Sequence, residues 1–339
     1  MKATPQKNIL LALLIISVLS CTSTFDKAAD ISIDSWNSPD IKYIDNTITD
    51  FMTMYDVPGS AVAIGKDGIL GTQYGTLPYS KHEKSITIEH LLTHTAGGKA
   101  WDISYSIFGA SDPMFSRKVM NQSELIGWVL DTRDPSESPG TTYNYSNFGY
   151  SVLGRVIEAK TNQSYESYVQ NNILKPMGIT TMRIGGNSEA DRYPGEVVYH
   201  DGELFTNPYG SFIHGMDLRR MDAHGGWIAS AIDLTRFMVH VDGFLTKPDF
   251  LSSASIKTMT SPSSVNKYYA KGWSVNTNNK WGHNGSLPGT SGILVRTSEG
   301  FSWAILVNTH KNGKFFSELD QMMKKAVNGV SLWPNVDLF

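Results

Sequence analysis

Apolar positions follow three different rhythms along the chain. Residues 9–19 are apolar except for Ser17. This run is shorter than the roughly 20 residues a helix needs to span a bilayer. Ile41, Ile44, Ile48, Phe51 and Met52 then recur at the spacing of one helical face. Asp56-Val57-Pro58-Gly59 ends that helix. Residues 60–65 form a compact apolar strand, Lys66-Asp67-Gly68 carries an Asp-Gly hairpin signal, and residues 69–74 form the return strand.

A helical period governs the middle of the chain. Helices are predicted over 87–95, closed by Ala96-Gly97-Gly98, over 123–130 with Ser123 as N-cap, and over 148–159. Another runs over 164–174, stopped by Pro176 and Gly178, and two more cover 229–241 and 253–259. Residues 184–215, rich in Gly, Pro, Tyr and Asn, predict a long surface excursion. Strands follow over 272–275, 292–296 and 302–308, and an amphipathic helix over 316–327 closes the pattern. Strands at both ends with helices between them predict an α/β fold: an antiparallel sheet completed by both termini, flanked by helices, with an inserted helical subdomain over about 86–260.

Composition changes this picture little. The 339 residues are 40% hydrophobic and 18% charged, as in ordinary globular proteins. A net charge of -3 without a basic stripe argues against nucleic-acid binding. Fifteen Tyr and eight Trp argue for a filled core and against disorder. A single cysteine, Cys21, rules out an internal disulfide. Its setting says more. Lys2 and Lys7 precede the apolar run, and Val18-Leu19-Ser20-Cys21 resembles the lipobox of bacterial lipoproteins. That resemblance implies a signal peptide over 1–20, lipidation at Cys21, a polar tether over 21–38 and a domain over 39–335 held at the cell envelope, on the periplasmic or outer-membrane face. A plain secretory signal with an incidental cysteine is the alternative.

Five segments carry the candidate chemistry. They are Ile86-Thr87-Ile88-Glu89-His90-Leu91-Leu92-Thr93-His94-Thr95-Ala96-Gly97-Gly98; Pro139-Gly140 followed by Tyr145-Ser146-Asn147-Phe148-Gly149-Tyr150; Leu174-Lys175-Pro176-Met177-Gly178; Gly225-Gly226-Trp227-Ile228-Ala229-Ser230-Ala231-Ile232-Asp233-Leu234; and Gly282-His283-Asn284-Gly285-Ser286-Leu287-Pro288-Gly289. In this order, over about residues 40–330, they resemble the family of class C β-lactamases, DD-peptidases and related esterases, with a β-lactamase/transpeptidase-like fold.

Acyl transfer by a serine needs a base for its hydroxyl, a donor for the leaving group and an oxyanion hole. The resemblance implies Tyr145 as a catalytic proton shuttle and His283 at the third motif, where a polar or cationic residue holds the substrate carboxylate. It implies Asn147 as a substrate amide contact, and Gly285 and Ser286 as substrate-binding positions, with the Ser286 N–H in the oxyanion hole. It implies no cofactor, and a small molecule or peptide as ligand. His90 and His94 stand four apart as in zinc-binding helices, but Leu91 occupies the place of the required Glu and no third ligand is apparent. Both therefore read as packing or capping residues, and no metal site is predicted.

One part of the family pattern does not occur. The resemblance calls for a Ser-x-x-Lys helix between the return strand and Ile86, where a serine and a lysine share one helix face. Here only residues 76–85 separate Gly75 from Ile86. The single literal Ser-x-x-Lys, Ser264-Val265-Asn266-Lys267, lies in a polar loop after Pro262. Ser80 and Lys84 are four apart and read as a surface turn. Two functions follow as expectations. One is a serine hydrolase of peptide, ester or β-lactam amide bonds, inactive in this form, or active only in a sequence that carries the missing segment. The other is a non-catalytic protein that binds a ligand or partner.

Overall fold

In the computed structural model the described residues are 46–47, 50, 53–54, 65–66, 69–70, 74–102, 114, 120–135, 137–200, 217–311 and 313–337. Cys21, the predicted signal peptide and the tether lie outside them, as do residues 201–215 of the surface excursion. The chain divides into two compact units between residues 72 and 73. In the first, β1 (Gly65–Lys66) pairs antiparallel with β2 (Ile69–Leu70), the hairpin predicted from Asp67-Gly68.

The second unit contains the larger sheet. Its strands β5 (Ser274–Val275), β6 (Trp281–Leu287), β7 (Thr290–Arg296) and β8 (Ser302–Val307) pair antiparallel in that order. Two further strands, β3 (Arg183–Ile184) and β4 (Trp227–Ile228), form a separate pair. The near-continuous apolar run of β7 follows from burial on both faces. Ile293 and Val295 meet Trp303 and Leu319 of the closing helix Phe315–Asn328. Leu294, one residue out of phase, packs against the cluster of Met238, Val241, Trp273 and Trp281. At the end of β7 the Arg296 guanidinium lies 3.9 Å from the ring centroids of both Trp281 and Phe244 and donates to the Asp242 and Asn279 carbonyls.

The helices form where caps and apolar faces agree. Helix α1 (Ile88–Leu92) opens with a capping box: Thr87 Oγ1 accepts from His90 N–H at 3.3 Å, and His90 Nδ1 accepts from Thr87 N–H at 3.2 Å. Helix α2 (Gln122–Thr132) has Asn121 as its N-cap rather than the predicted Ser123. Asn121 and Glu124 satisfy each other's backbone N–H groups, at 3.0 and 2.8 Å, so Ser123 already lies inside the first turn. Helix α3 (Asn147–Thr161) is capped by Ser146 and ends at Asn162 in the left-handed region, φ 53°. Helix α4 (Tyr165–Val169) continues through a π-turn to a Pro176 turn that Gly178 closes at φ 73°. The short α5 (Asp222–Gly225) packs on α3, and α6 (Ala231–Val239) and α7 (Ser253–Thr260) follow.

The abbreviated link between residues 74 and 86 is bound to α2. The Asp131 carboxylate accepts from Thr76 N–H, Thr76 Oγ1 and Leu77 N–H, each at 2.9 Å. These bonds hold the Asp131 pKa below its usual value against a desolvation that pushes it up. Gly75, at φ 84°, and Gly127 let the two backbones touch: a Cβ on Gly127 would stand 2.8 Å from the Gly75 nitrogen. The only helical element described between Tyr74 and Ile86 is the 3-10 turn Glu83–Ser85. Ser80 caps that turn by accepting from Glu83 N–H at 3.1 Å, the surface turn the sequence predicts.

Candidate functional site

The site begins where the end of α1 meets the loop before α3. His94 adopts φ 56°, a left-handed conformation that costs a non-glycine residue about 1–2 kcal/mol. In return it holds the loop twice. Its carbonyl accepts from Asn144 N–H at 2.9 Å, and its Nδ1 accepts from Ser146 N–H at 3.1 Å. Thr95 adds a third tie by accepting from Gly140 N–H at 2.8 Å. These bonds bring the Tyr145 ring to 4.0 Å from the His94 ring and start α3 at Asn147.

A directional chain of hydrogen bonds then runs across the sheet edge. Because His94 Nδ1 accepts from a backbone N–H, its proton resides on Nε2, which donates to Tyr269 Oη at 3.0 Å. At the far end His283 Nδ1 lies 2.7 Å from the Asn284 carbonyl and must donate to it. That leaves His283 Nε2 bare, and it accepts from Tyr269 Oη at 3.1 Å. Every proton in the chain is thus assigned by the fixed groups at its two ends. Both rings are neutral. Burial, with His283 as a second cause, takes the His94 pKa down to about 3, and burial lowers that of His283. Burial and the neighbouring Tyr150, Tyr145 and Tyr143 push the Tyr269 phenol up.

Tyr145, Asn147 and His283 line one cavity of about 200 Å³. Tyr150, Tyr269 and His224 complete its polar wall, with Ala223 and Gly272 beside them. The Tyr145 and His283 ring centroids are 6.2 Å apart. Gly272 requires its positive φ of 84°, and its Cβ position faces the Tyr150 hydroxyl at 3.4 Å. Gly285 and Ser286 lie farther along β6 and are not among the lining residues. The two-residue period of the strand puts the Ser286 side chain on the face opposite His283, where its hydroxyl meets His310 Nδ1 and stands 3.3 Å from the Ser291 hydroxyl.

Four of these residues have roles the sequence did not reveal. His94, read as a packing or capping residue, is also the hub of the chain. Tyr269 is 175 residues from His94 in sequence, and no local pattern links them. Tyr150 lies in the second motif, and its hydroxyl donates to the Leu92 carbonyl at 2.9 Å. His224 precedes the Gly225-Gly226 pair. Both of its ring nitrogens are shielded and without a hydrogen-bond partner, and burial, with the Arg220 charge second, takes its pKa down to about 3. His90 is the capping residue the sequence predicts.

The only literal Ser-x-x-Lys is remote from nucleophile geometry. Ser264 is exposed at a bend and Lys267 is exposed, its Nζ 5.0 Å from the Tyr268 ring centroid. Among the described residues no group of three His, Cys, Asp or Glu is arranged to share a metal ion, and no helix is long and apolar enough to cross a membrane.

The chain predicts its own fragility. Tyr269→Phe removes the hydroxyl that satisfies both imidazoles and leaves two buried ring nitrogens unpaired. The expected loss is about 2–5 kcal/mol, against about 1 kcal/mol for an ordinary hydrogen bond. Urea unfolding measures it, and a loss under about 1 kcal/mol would show that the chain does not act as a unit.

Known proteins share this architecture. Penicillin-binding protein 4 of Amycolatopsis lactamdurans is 27% identical over 266 residues, covering 74% of this chain and 66% of that protein. Penicillin-binding protein 4* of Bacillus subtilis (strain 168) is 26% identical over 234 residues, covering 63% of this chain and 49% of that protein. The match thus spans about half to two thirds of these relatives. Among solved structures, the octameric penicillin-binding protein homologue from Pyrococcus abyssi superposes with a TM-score of 0.53 at 20% identity, over 84% of this chain and 78% of that one. The D-amino acid amidase from Ochrobactrum anthropi SV3, complexed with L-phenylalanine amide, gives 0.56 at 18% identity, over 74% and 73%. These likenesses establish a β-lactamase/transpeptidase-like fold. The sequence model of the family described as Beta-lactamase matches residues 76–328, from the link bound to α2 through the closing helix, and by that match this chain belongs to the β-lactamase family.

Proposed function

We propose that this member of the serine hydrolase family binds an acyl-type ligand in the Tyr145–Asn147–His283 cavity without forming an acyl-enzyme. The observation that carries the reading is the composition of the wall. Among the described residues the lining offers tyrosines, histidines, one asparagine, Ala223 and Gly272, with no serine, threonine or cysteine. Tyr145 is a candidate proton shuttle and Asn147 a candidate amide contact, but neither replaces a serine activated by a neighbouring lysine. Without a nucleophile the remaining groups supply binding and at most residual electrostatic stabilisation.

The relatives include penicillin-binding proteins and a D-amino acid amidase, which makes a peptide, ester or β-lactam amide the first ligand class to test. The experiment is intact mass after incubation with a labelled penicillin and with a fluorophosphonate. The expected result is an unmodified chain. A stoichiometric adduct on any serine would overturn the proposal, and peptide mapping would then locate the nucleophile, with Ser80 and Ser264 the first to examine.

A further inference from the structure

We infer that the cavity selects an uncharged, amide- or ester-headed ligand over one ending in a carboxylate. The inference rests on the proposal that this cavity is the ligand site, and it names the class of ligand. Two observations support it.

First, His283 has no nitrogen to offer. Its Nε2 accepts from Tyr269 Oη at 3.1 Å and its Nδ1 donates to the Asn284 carbonyl at 2.7 Å. The ring is therefore neutral and forms a wall rather than a cationic anchor.

Second, among the described residues the lining carries no lysine or arginine. The nearest cation in sequence, Lys271, is buried and committed elsewhere: its Nζ pairs with Glu89 at 2.8 Å and donates to the Ser261 carbonyl at 3.3 Å. A carboxylate in the cavity would lose its hydration with no cation among these lining residues to replace it, and Arg220, whose charge reaches His224, donates to the Met114 and Met120 carbonyls instead.

The probes are N-acetylalanine amide and N-acetylalanine, small molecules that differ in one terminal group and in charge. Ligand-observed NMR titration at pH 7 gives both dissociation constants for the whole chain. The amide is expected to bind more tightly by about tenfold or more, since an unpaired buried charge costs more than a paired amide. His283→Lys, which adds the missing cation, should narrow or reverse the preference.

Equal binding of the two probes by the unaltered chain would overturn the inference while leaving the cavity a ligand site. An unchanged preference in His283→Lys would overturn it as well. Binding of neither probe would remove the proposed site itself, and the inference with it.

Discussion

Lowering the pH from 7 to 5 is expected to destabilise this protein by about 4 kcal/mol, a large share of the roughly 5–15 kcal/mol that holds a typical domain together. The cause is a pair of histidines that the native fold keeps neutral. His94 and His224 have folded pKa values of about 3, whereas an unfolded histidine titrates near 6.5. Between those two values the unfolded chain takes up protons that the native fold excludes. Stability is therefore complete above the unfolded value and is lost as the pH falls through the window towards 3. Each histidine contributes about 2 kcal/mol between pH 7 and 5. His283, also lowered, acts in the same direction. The buried Asp242 and half-buried Asp249, whose carboxyl pKa values desolvation raises, act in the opposite direction as the pH falls. Urea unfolding at pH 7, 6 and 5 tests this. His224→Phe, with no ring proton to exclude, should remove about half of the dependence. Equal stability at pH 7 and 5 would show that neither ring is held neutral as the geometry requires.

Asp222→Ala is expected to cost about 3–5 kcal/mol. Asp222 lies behind the cavity wall at the start of α5, the turn that carries His224. Its Oδ2 stands 2.5 Å from Arg155 Nη2, and its Oδ1 accepts from Gln122 Nε2 at 3.0 Å and from Ala223 N–H at 2.5 Å. Both members of the ion pair are buried. Arg155 has a second carboxylate, Glu158, 3.2 Å from its Nε, but the angle makes no hydrogen bond there. Truncating Asp222 therefore strands a guanidinium in the interior and leaves Gln122 with one partner fewer. Replacing both partners, as in Arg155→Met with Asp222→Leu, should recover much of the loss, because the penalty comes from the unpaired charge rather than from the missing pair. Chemical unfolding of the single and double variants separates these cases. A single-variant loss below about 1 kcal/mol would mean that Glu158 compensates in full.

Local signals carried much of this protein on their own. The hairpin came from Asp67-Gly68, the helix stop at Gly178 from a residue that tolerates φ 73°, and the β7 strand from an apolar run that only burial on both faces explains. The order of the five segments identified the family, and the lack of a Ser-x-x-Lys helix before Ile86 was evident by counting residues. Each of these readings depends on neighbours within a few positions, where backbone geometry and side-chain period act directly. The N-cap of α2 was misplaced by two residues because Ser123 and Asn121 are both good caps, and only the reciprocal bonds with Glu124 choose between them.

Folding alone decided what the site offers. The sequence presented His283 as a residue that holds a carboxylate and His94 as a packing or capping residue, while Tyr269 stood just ahead of the strand predicted over 272–275. None of those readings contains the chain that joins them, because its links span 175 and 14 residues and exist only once the sheet edge meets the end of α1. Protonation states are likewise tertiary properties. A histidine's pKa depends on how much water and which partners surround it, and the fold sets both. Residue types named the candidates for this site; the closure of distant segments around a buried cavity determined which of them keep a free nitrogen, a proton or a charge.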